Sequence, residues 1–121
     1  MFQKGPLKGV RVVELGHIMA GPVCGLMLAD LGADVVKIEK TKGGDDTRRA
    51  LPPAIGDQAA AFLMVNRNKR GVAIDLKHPD GAAAARRLMA GADIVVVFYR
   101  KGGLDKLGLG YESFADENPG L

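Results

Sequence analysis

The chain predicts an α/β fold with a parallel sheet wound on both sides, and three observations carry that prediction. Val10 to Leu15 is a β-rich run bounded by Gly9 and Gly16. A helical pattern follows, opened by Pro22 and stopped at Gly32. Asp34 to Glu39 then forms a second strand through Val35, Val36 and Ile38. Strand, helix and strand within about 30 residues make a βαβ unit, whose crossover is right-handed and whose strands are parallel.

Each element has its own reason. Pro22 suits the first helical turn, where a missing N–H costs nothing. Val23, Leu26, Met27 and Leu31 then fall at core spacing. Residues 41 to 57 are polar and punctuated by Gly43, Gly44, Pro52, Pro53 and Gly56, so they read as a long loop of the functional kind. Gln58 to Val65 is a short helix and Val72 to Leu76 a third strand. Pro79 opens a helix through Met89, ended by Gly91. Asp93 to Tyr99 is a fourth strand, and Ile94-Val95-Val96-Val97 is apolar enough to be buried on both faces. Gly102 and Gly103 turn the chain, and Leu104 to Leu107 and Tyr111 to Glu117 are short closing helices. With four strands placed before Pro119-Gly120-Leu121, the pattern is that of one incomplete large domain, residues 1–121, with no second domain and no internal repeat. An unpaired fourth strand this apolar would leave an adhesive edge if its neighbours were absent.

Composition narrows the function. Of 121 residues 47% are apolar and 26% charged, the balance of an ordinary globular domain. One cysteine excludes an intrachain disulfide, and a reducing compartment is the simplest reading. The start, from Met1 to Pro6, has no apolar signal core, and no run reaches the roughly 20 residues of a membrane span, so a cytoplasmic location and no membrane partner are expected. The net charge is +3, a mild excess without the dense basic stripe of a nucleic-acid binder. Two Tyr, four Phe and no Trp leave little for base stacking.

The first strand–helix turn, Gly16-His17-Ile18-Met19-Ala20-Gly21-Pro22, lies where open α/β sheets hold ligands. Its glycine spacing mimics the phosphate loop G-x-x-x-x-G-K-[ST], but Pro22-Val23 replaces the lysine and the hydroxyl residue, which argues against nucleotide triphosphate hydrolysis. The dinucleotide glycines are missing too, although Glu39 closes the second strand where a ribose carboxylate would sit. His17 is either a general base or a histidine hydrogen-bonded at a strand end. Cys24, in the first helical turn, is either a nucleophile beside His17 or a packing residue. Asn66-Arg67-Asn68-Lys69-Arg70 is either a solvated basic turn or part of an anion site with Lys40, Lys77, Arg100, Lys101 and Lys106. In a parallel sheet Lys40, Lys77, Arg100 and Lys101 gather at one carboxyl edge and could hold several phosphates. Asp45-Asp46 lack histidine or cysteine companions, so no metal is expected.

Three longer stretches carry a resemblance: Pro6-Leu7-Lys8-Gly9-Val10-Arg11-Val12-Val13-Glu14-Leu15, His17-Ile18-Met19-Ala20-Gly21-Pro22, and Leu28-Ala29-Asp30-Leu31-Gly32-Ala33-Asp34-Val35-Val36-Lys37-Ile38-Glu39. Gly44-Asp45-Asp46-Thr47-Arg48, Asn66-Arg67-Asn68-Lys69-Arg70 and Leu104-Asp105-Lys106-Leu107-Gly108-Leu109-Gly110-Tyr111 agree with it in collinear order. Together they resemble the start of family III CoA-transferases, the family of formyl-CoA transferase, carnitine and bile-acid-inducible CoA-transferases and α-methylacyl-CoA racemase. The resemblance implies a Rossmann-like parallel sheet, the N-terminal portion of a CoA-binding large domain. It further implies a longer protein that forms an interlocked homodimer.

The same resemblance implies the chemistry. Acyl-CoA and a carboxylic acid are the substrates, coenzyme A is a substrate and not a covalently bound cofactor, and a downstream aspartate forms acyl anhydride and aspartyl-CoA thioester intermediates. Asp105, Asp116 and the other aspartates do not match that nucleophile, which would lie beyond Leu121. No catalytic residue is therefore assigned, and the 121-residue segment alone is expected to be inactive. His17, Met19 and Ala20 fall where the family lines the acyl and CoA pocket. Lys40 meets the nucleotide phosphate, Ile74 and Lys77 match a CoA-contacting segment, and Phe98, Tyr99, Arg100 and Lys106 match the segment gripping CoA beyond the fourth strand. Two departures stand out. Formyl-CoA transferases carry glutamine where this chain has Met19, a change that suits a more apolar acyl group. Many relatives read Glu-Asn-Phe-Arg-Pro-Gly where this chain has Val97-Phe98-Tyr99-Arg100-Lys101-Gly102. A racemase-type enzyme that abstracts an α-proton, or a non-catalytic CoA-binding or dimerisation module, are the alternative readings.

Overall fold

The computed structural model describes residues 4–121. Strand β1 (Arg11–Leu15) leads through helix α1 (Ala20–Asp30) to β2 (Asp34–Glu39). A 3₁₀ turn (Asp46–Arg49) and a small hairpin, β3 (Ala54–Ile55) with β4 (Gln58–Ala59), precede α2 (Ala60–Asn66). Then come β5 (Arg70–Ala73), α3 (Pro79–Ala90) and β6 (Ile94–Val97), followed by two 3₁₀ turns, Asp105–Leu107 and Tyr111–Ser113. The main sheet is parallel throughout, in the order β5-β2-β1-β6. The chain thus steps outward from β1 through β2 to β5, then crosses back to β6 on the other side of β1. That reversal makes the carboxyl ends of β1 and β6 the switch point where such sheets open a ligand crevice.

The period-2 alternation of the strands sorts the core into two layers. Val13, Leu15 and Ile38 face α3 and pack with Ala85, Met89 and Phe114 in a wholly apolar layer. Val12 and Val35 face α1 and pack with Ala29 and Ala33. On that second face the alternation also buries Glu14 and Lys37, which sit opposite each other in register.

Several expectations are corrected. Helix α1 begins at Ala20, two residues before Pro22, which still lies among the first four positions whose N–H has no intrahelical partner. It turns inward not Met27 and Leu31, which are exposed, but Gly21, Pro22, Gly25 and Ala29, because the carboxylate of Glu14 lies directly beneath Gly25. Residues 58 and 59 are strand, not helix, since Gly56 at a φ of 62° turns a hairpin there. The third main strand is Arg70–Ala73, upstream of the expected 72–76, because β5 pairs with β2 from Val36 opposite Arg70. Strand β6 lies at an edge and is half-buried, not covered on both faces. The 111–117 segment makes only one 3₁₀ turn before its anchor, Phe114, is fully buried. Among the described residues no helix is long and apolar enough to cross a membrane.

Candidate functional site

The carboxyl edge of the sheet holds two adjoining clefts that share Ile38, Glu39, Lys40 and Tyr99. The smaller, about 160 Å³, is lined by Gly16, His17, Asp45 and Asp46 in addition. The larger, about 470 Å³, extends past Lys42, Ile74 and Lys77 to Leu107. His17, Lys40, Ile74, Lys77 and Tyr99 are therefore brought together as expected, from the ends of β1, β2, β5 and β6. Phe98 is half exposed and meets His17 edge to face, with centroids 6.5 Å apart. That contact joins the ends of β1 and β6 at the switch point. Met19, Ala20, Arg100 and Lys106 are exposed and stand outside the walls of both clefts.

The turn after β1 has an unusual backbone. Gly16 and Gly21 touch, and a Cβ on either would sit 2.9 Å from the other's Cα, so both positions need glycine. Between them Ile18 has a φ of 69°, a left-handed conformation that a β-branched residue rarely adopts. The N-terminus of α1, capped at Met19 without a side-chain hydrogen bond, opens from this turn.

The charges beneath the turn form a closed set of two acids and two bases. Lys37 Nζ donates to Glu14 Oε1 and to the Gly16 carbonyl, both at 2.8 Å, and lies 2.9 Å from Asp45 Oδ2. Lys69 Nζ reaches Glu14 Oε2 at 2.7 Å and donates to the Pro22 carbonyl. Burial pushes the Lys69 ammonium pKa down, against the opposing pull of Glu14. Asp45 Oδ1 accepts from Ile18 N, Thr47 N and Thr47 Oγ1 at 3.1, 3.0 and 2.8 Å. Burial works to raise the Asp45 pKa, but these donors and Lys37 outweigh it and hold the carboxyl down at about 2.

Glu39 is not free for a ribose. Its carboxylate takes both arms of Arg48 at 2.7 Å and the backbone N–H of Asp45, and the Arg48 bonds keep its pKa low. Arg48 in turn stacks over Phe62 at 3.7 Å. Lys40 bonds Asp46 at 2.5 Å, which lowers the Asp46 pKa. Lys42, Lys77, Arg100, Lys101 and Lys106 have no carboxylate partner among the described residues. The 66–70 run does not join them: Arg67 pairs with Asp30, Arg70 with Asp34, and Lys69 turns inside. Cys24 is exposed on α1, and among the described residues no cluster of metal ligands occurs. Sequence reasoning assigned no role to Glu14 or Lys37 and weighed Asp45 only as a metal ligand. The signal was present for the first two, since each interrupts an apolar alternation, Val12-x-Glu14 and Val35-x-Lys37.

The model of CoA-transferase family III matches residues 7–121. The chain is 47% identical to the succinate–glutarate CoA-transferase of Agrobacterium fabrum, over 98% of this chain and 31% of that protein. It is 41% identical to human succinyl-CoA:glutarate CoA-transferase, over 94% of this chain and 26% of that one. Among solved structures, a CAIB/BAIF family protein from Brucella suis superposes with a TM-score of 0.88 at 46% identity, over 95% of this chain and 31% of its own. The chain thus spans less than a third of the length of these relatives.

Proposed function

This chain belongs to CoA-transferase family III, and from that premise we propose that the protein carrying it moves CoA from an acyl-CoA donor to a dicarboxylic acid. The observation that carries the reading is the set of cations at the carboxyl edge that have no carboxylate partner among the described residues. Lys77 and Lys42 flank the larger cleft, and Arg100, Lys101 and Lys106 follow β6, where the phosphates of an extended CoA nucleotide need several positive charges. In this reading Lys40 and Lys77 meet phosphate, while Ile74, Phe98 and Tyr99 give apolar contact to the adenine and pantetheine, with Arg100 and Lys106 closing from outside. His17, Met19 and Ala20 border the acyl end at the mouth of the turn. The exposed thioether of Met19 suits the methylenes between two carboxylates, as in the acids named for the glutarate-using relatives.

The covalent steps belong to an aspartate outside residues 1–121. Its carboxylate would attack the thioester carbonyl and expel CoA thiolate, leaving a mixed anhydride. The thiolate would then attack the aspartyl carbonyl and release the donor acid, and the acceptor would reverse the two steps. A homodimer is part of the same reading.

The test is an assay of the intact gene product with succinyl-CoA and glutarate, following both thioesters by mass. Glutaryl-CoA should appear in step with loss of succinyl-CoA and fail to form without the acid. Exchange of the α-proton of an acyl-CoA with no acceptor present would instead indicate racemase chemistry.

A further inference from the structure

Resting on the reading of the 16–19 turn as the acyl end of the site, we propose that Asp45 is a positioning residue that latches this turn in its left-handed form. Ile18 cannot hold a φ of 69° by its own preference, since a β-branched side chain disfavours that region. Strained backbone persists only where its surroundings over-determine it. Here the Ile18 N–H is bonded to the Asp45 carboxylate, the Gly16 carbonyl to Lys37, and Lys37 in turn to Asp45.

The latch is itself fixed from both sides. Thr47 supplies two donors to Asp45 Oδ1, and Glu39 accepts from the Asp45 N–H at 2.7 Å. Asp45 is 3% exposed, so water does not compete for these bonds. Between the strand-end Gly16 and the helix start, His17 and Met19 are carried on the one residue whose conformation must be imposed. Releasing it lets Ile18 relax toward negative φ, which swings His17 away from the cleft wall and moves Met19 from the mouth of the turn.

The experiment uses the intact gene product and its acyl-CoA turnover. Asp45→Ala is expected to lower kcat/KM about tenfold, the strain of one left-handed residue expressed as a rate. Ile18→Gly added to Asp45→Ala should recover most of that loss, because glycine adopts a positive φ without help. Thr47→Val keeps all four buried charges, guards against misfolding of the first variant, and should lose about threefold, again restored by Ile18→Gly. Alongside, the residue-18 amide should exchange slowly in the native protein and at least about tenfold faster in Thr47→Val.

Loss without rescue by glycine would show that Asp45 only balances the charge of Lys37 and would overturn the proposal. An unprotected residue-18 amide in the native protein would overturn it too. A native protein with no transferase activity but a protected amide that Thr47→Val releases would contradict the functional reading and leave the latch standing.

Discussion

The 66–70 run leads into the amino end of β5, and each of its cations is neutralised: Arg67 by Asp30, Arg70 by Asp34, and Lys69, which reaches inward beneath the 16–19 turn, by Glu14. At the carboxyl edge Lys42, Lys77, Arg100, Lys101 and Lys106 have no such partner among the described residues, although they are no more numerous in charge per length than the first set. The two regions read alike as basic sequence. What separates them is the acid that the fold brings to one and withholds from the other. Lys40 is the exception at the carboxyl edge, since it is bonded to the exposed Asp46 and meets a phosphate only by leaving it. Elsewhere a basic side chain with a built-in partner serves the fold, and one without a partner remains available to an anion from outside.

The largest effect should come from breaking the buried part of the paired set. Glu14→Gln leaves Lys37 and Lys69 facing each other with only Asp45 in compensation, and should cost about 3–5 kcal/mol of stability in a denaturant titration. If the loss were below about 1 kcal/mol, the cations beneath α1 would have to be neutral or hydrated, and the pairing side of the contrast would fail. Next in size, Lys77→Glu at the unpaired edge should weaken CoA binding by about ten- to a hundredfold, the worth of a charge-assisted contact turned against a phosphate. Arg70→Glu, at the paired side, should cost only about 1 kcal/mol of stability or less and shift the CoA dissociation constant less than about twofold. Equal effects of the two reversals on CoA would erase the distinction.

The last effect is confined to acid pH. The Asp45 pKa is lowered in the folded protein from 3.8 to about 2. The deprotonated form is therefore favoured by folding. Its contribution is complete above pH 3.8 and is lost as pH falls toward 2. Asp45→Ala should flatten that part of the stability–pH curve, whereas Met89→Ala in the apolar layer under α3 should lower the whole curve without changing its slope.

Much of this architecture was legible in the sequence because strand and helix punctuation is local. Gly16, Gly32 and Gly91 bound their elements, and Pro79 opens α3 where expected, with His78 as its cap. The placing of Lys40 and Lys77 at one carboxyl edge followed from parallel strands alone, whereas Arg100 and Lys101, expected to gather with them, stand outside the walls of both clefts. The failures share a cause, which is that partnership across the sheet is not local. Nothing in the 66–70 run announces Asp30, Asp34 or Glu14, and nothing in the 41–57 loop announces that Asp45 folds back beneath Ile18. The inward face of α1 was misjudged for the same reason. Its apolar residues follow helical spacing, but the buried carboxylate of Glu14 admits only the small side of the helix.

The most direct test of the contrast between the two ends is amide hydrogen exchange of the intact gene product with and without saturating CoA. The account predicts new protection at 16–20, 38–42, 74–77 and 98–101, with residues 66–70 unchanged. Protection at 66–70 with none at the carboxyl edge, or no change anywhere despite saturating CoA, would contradict it.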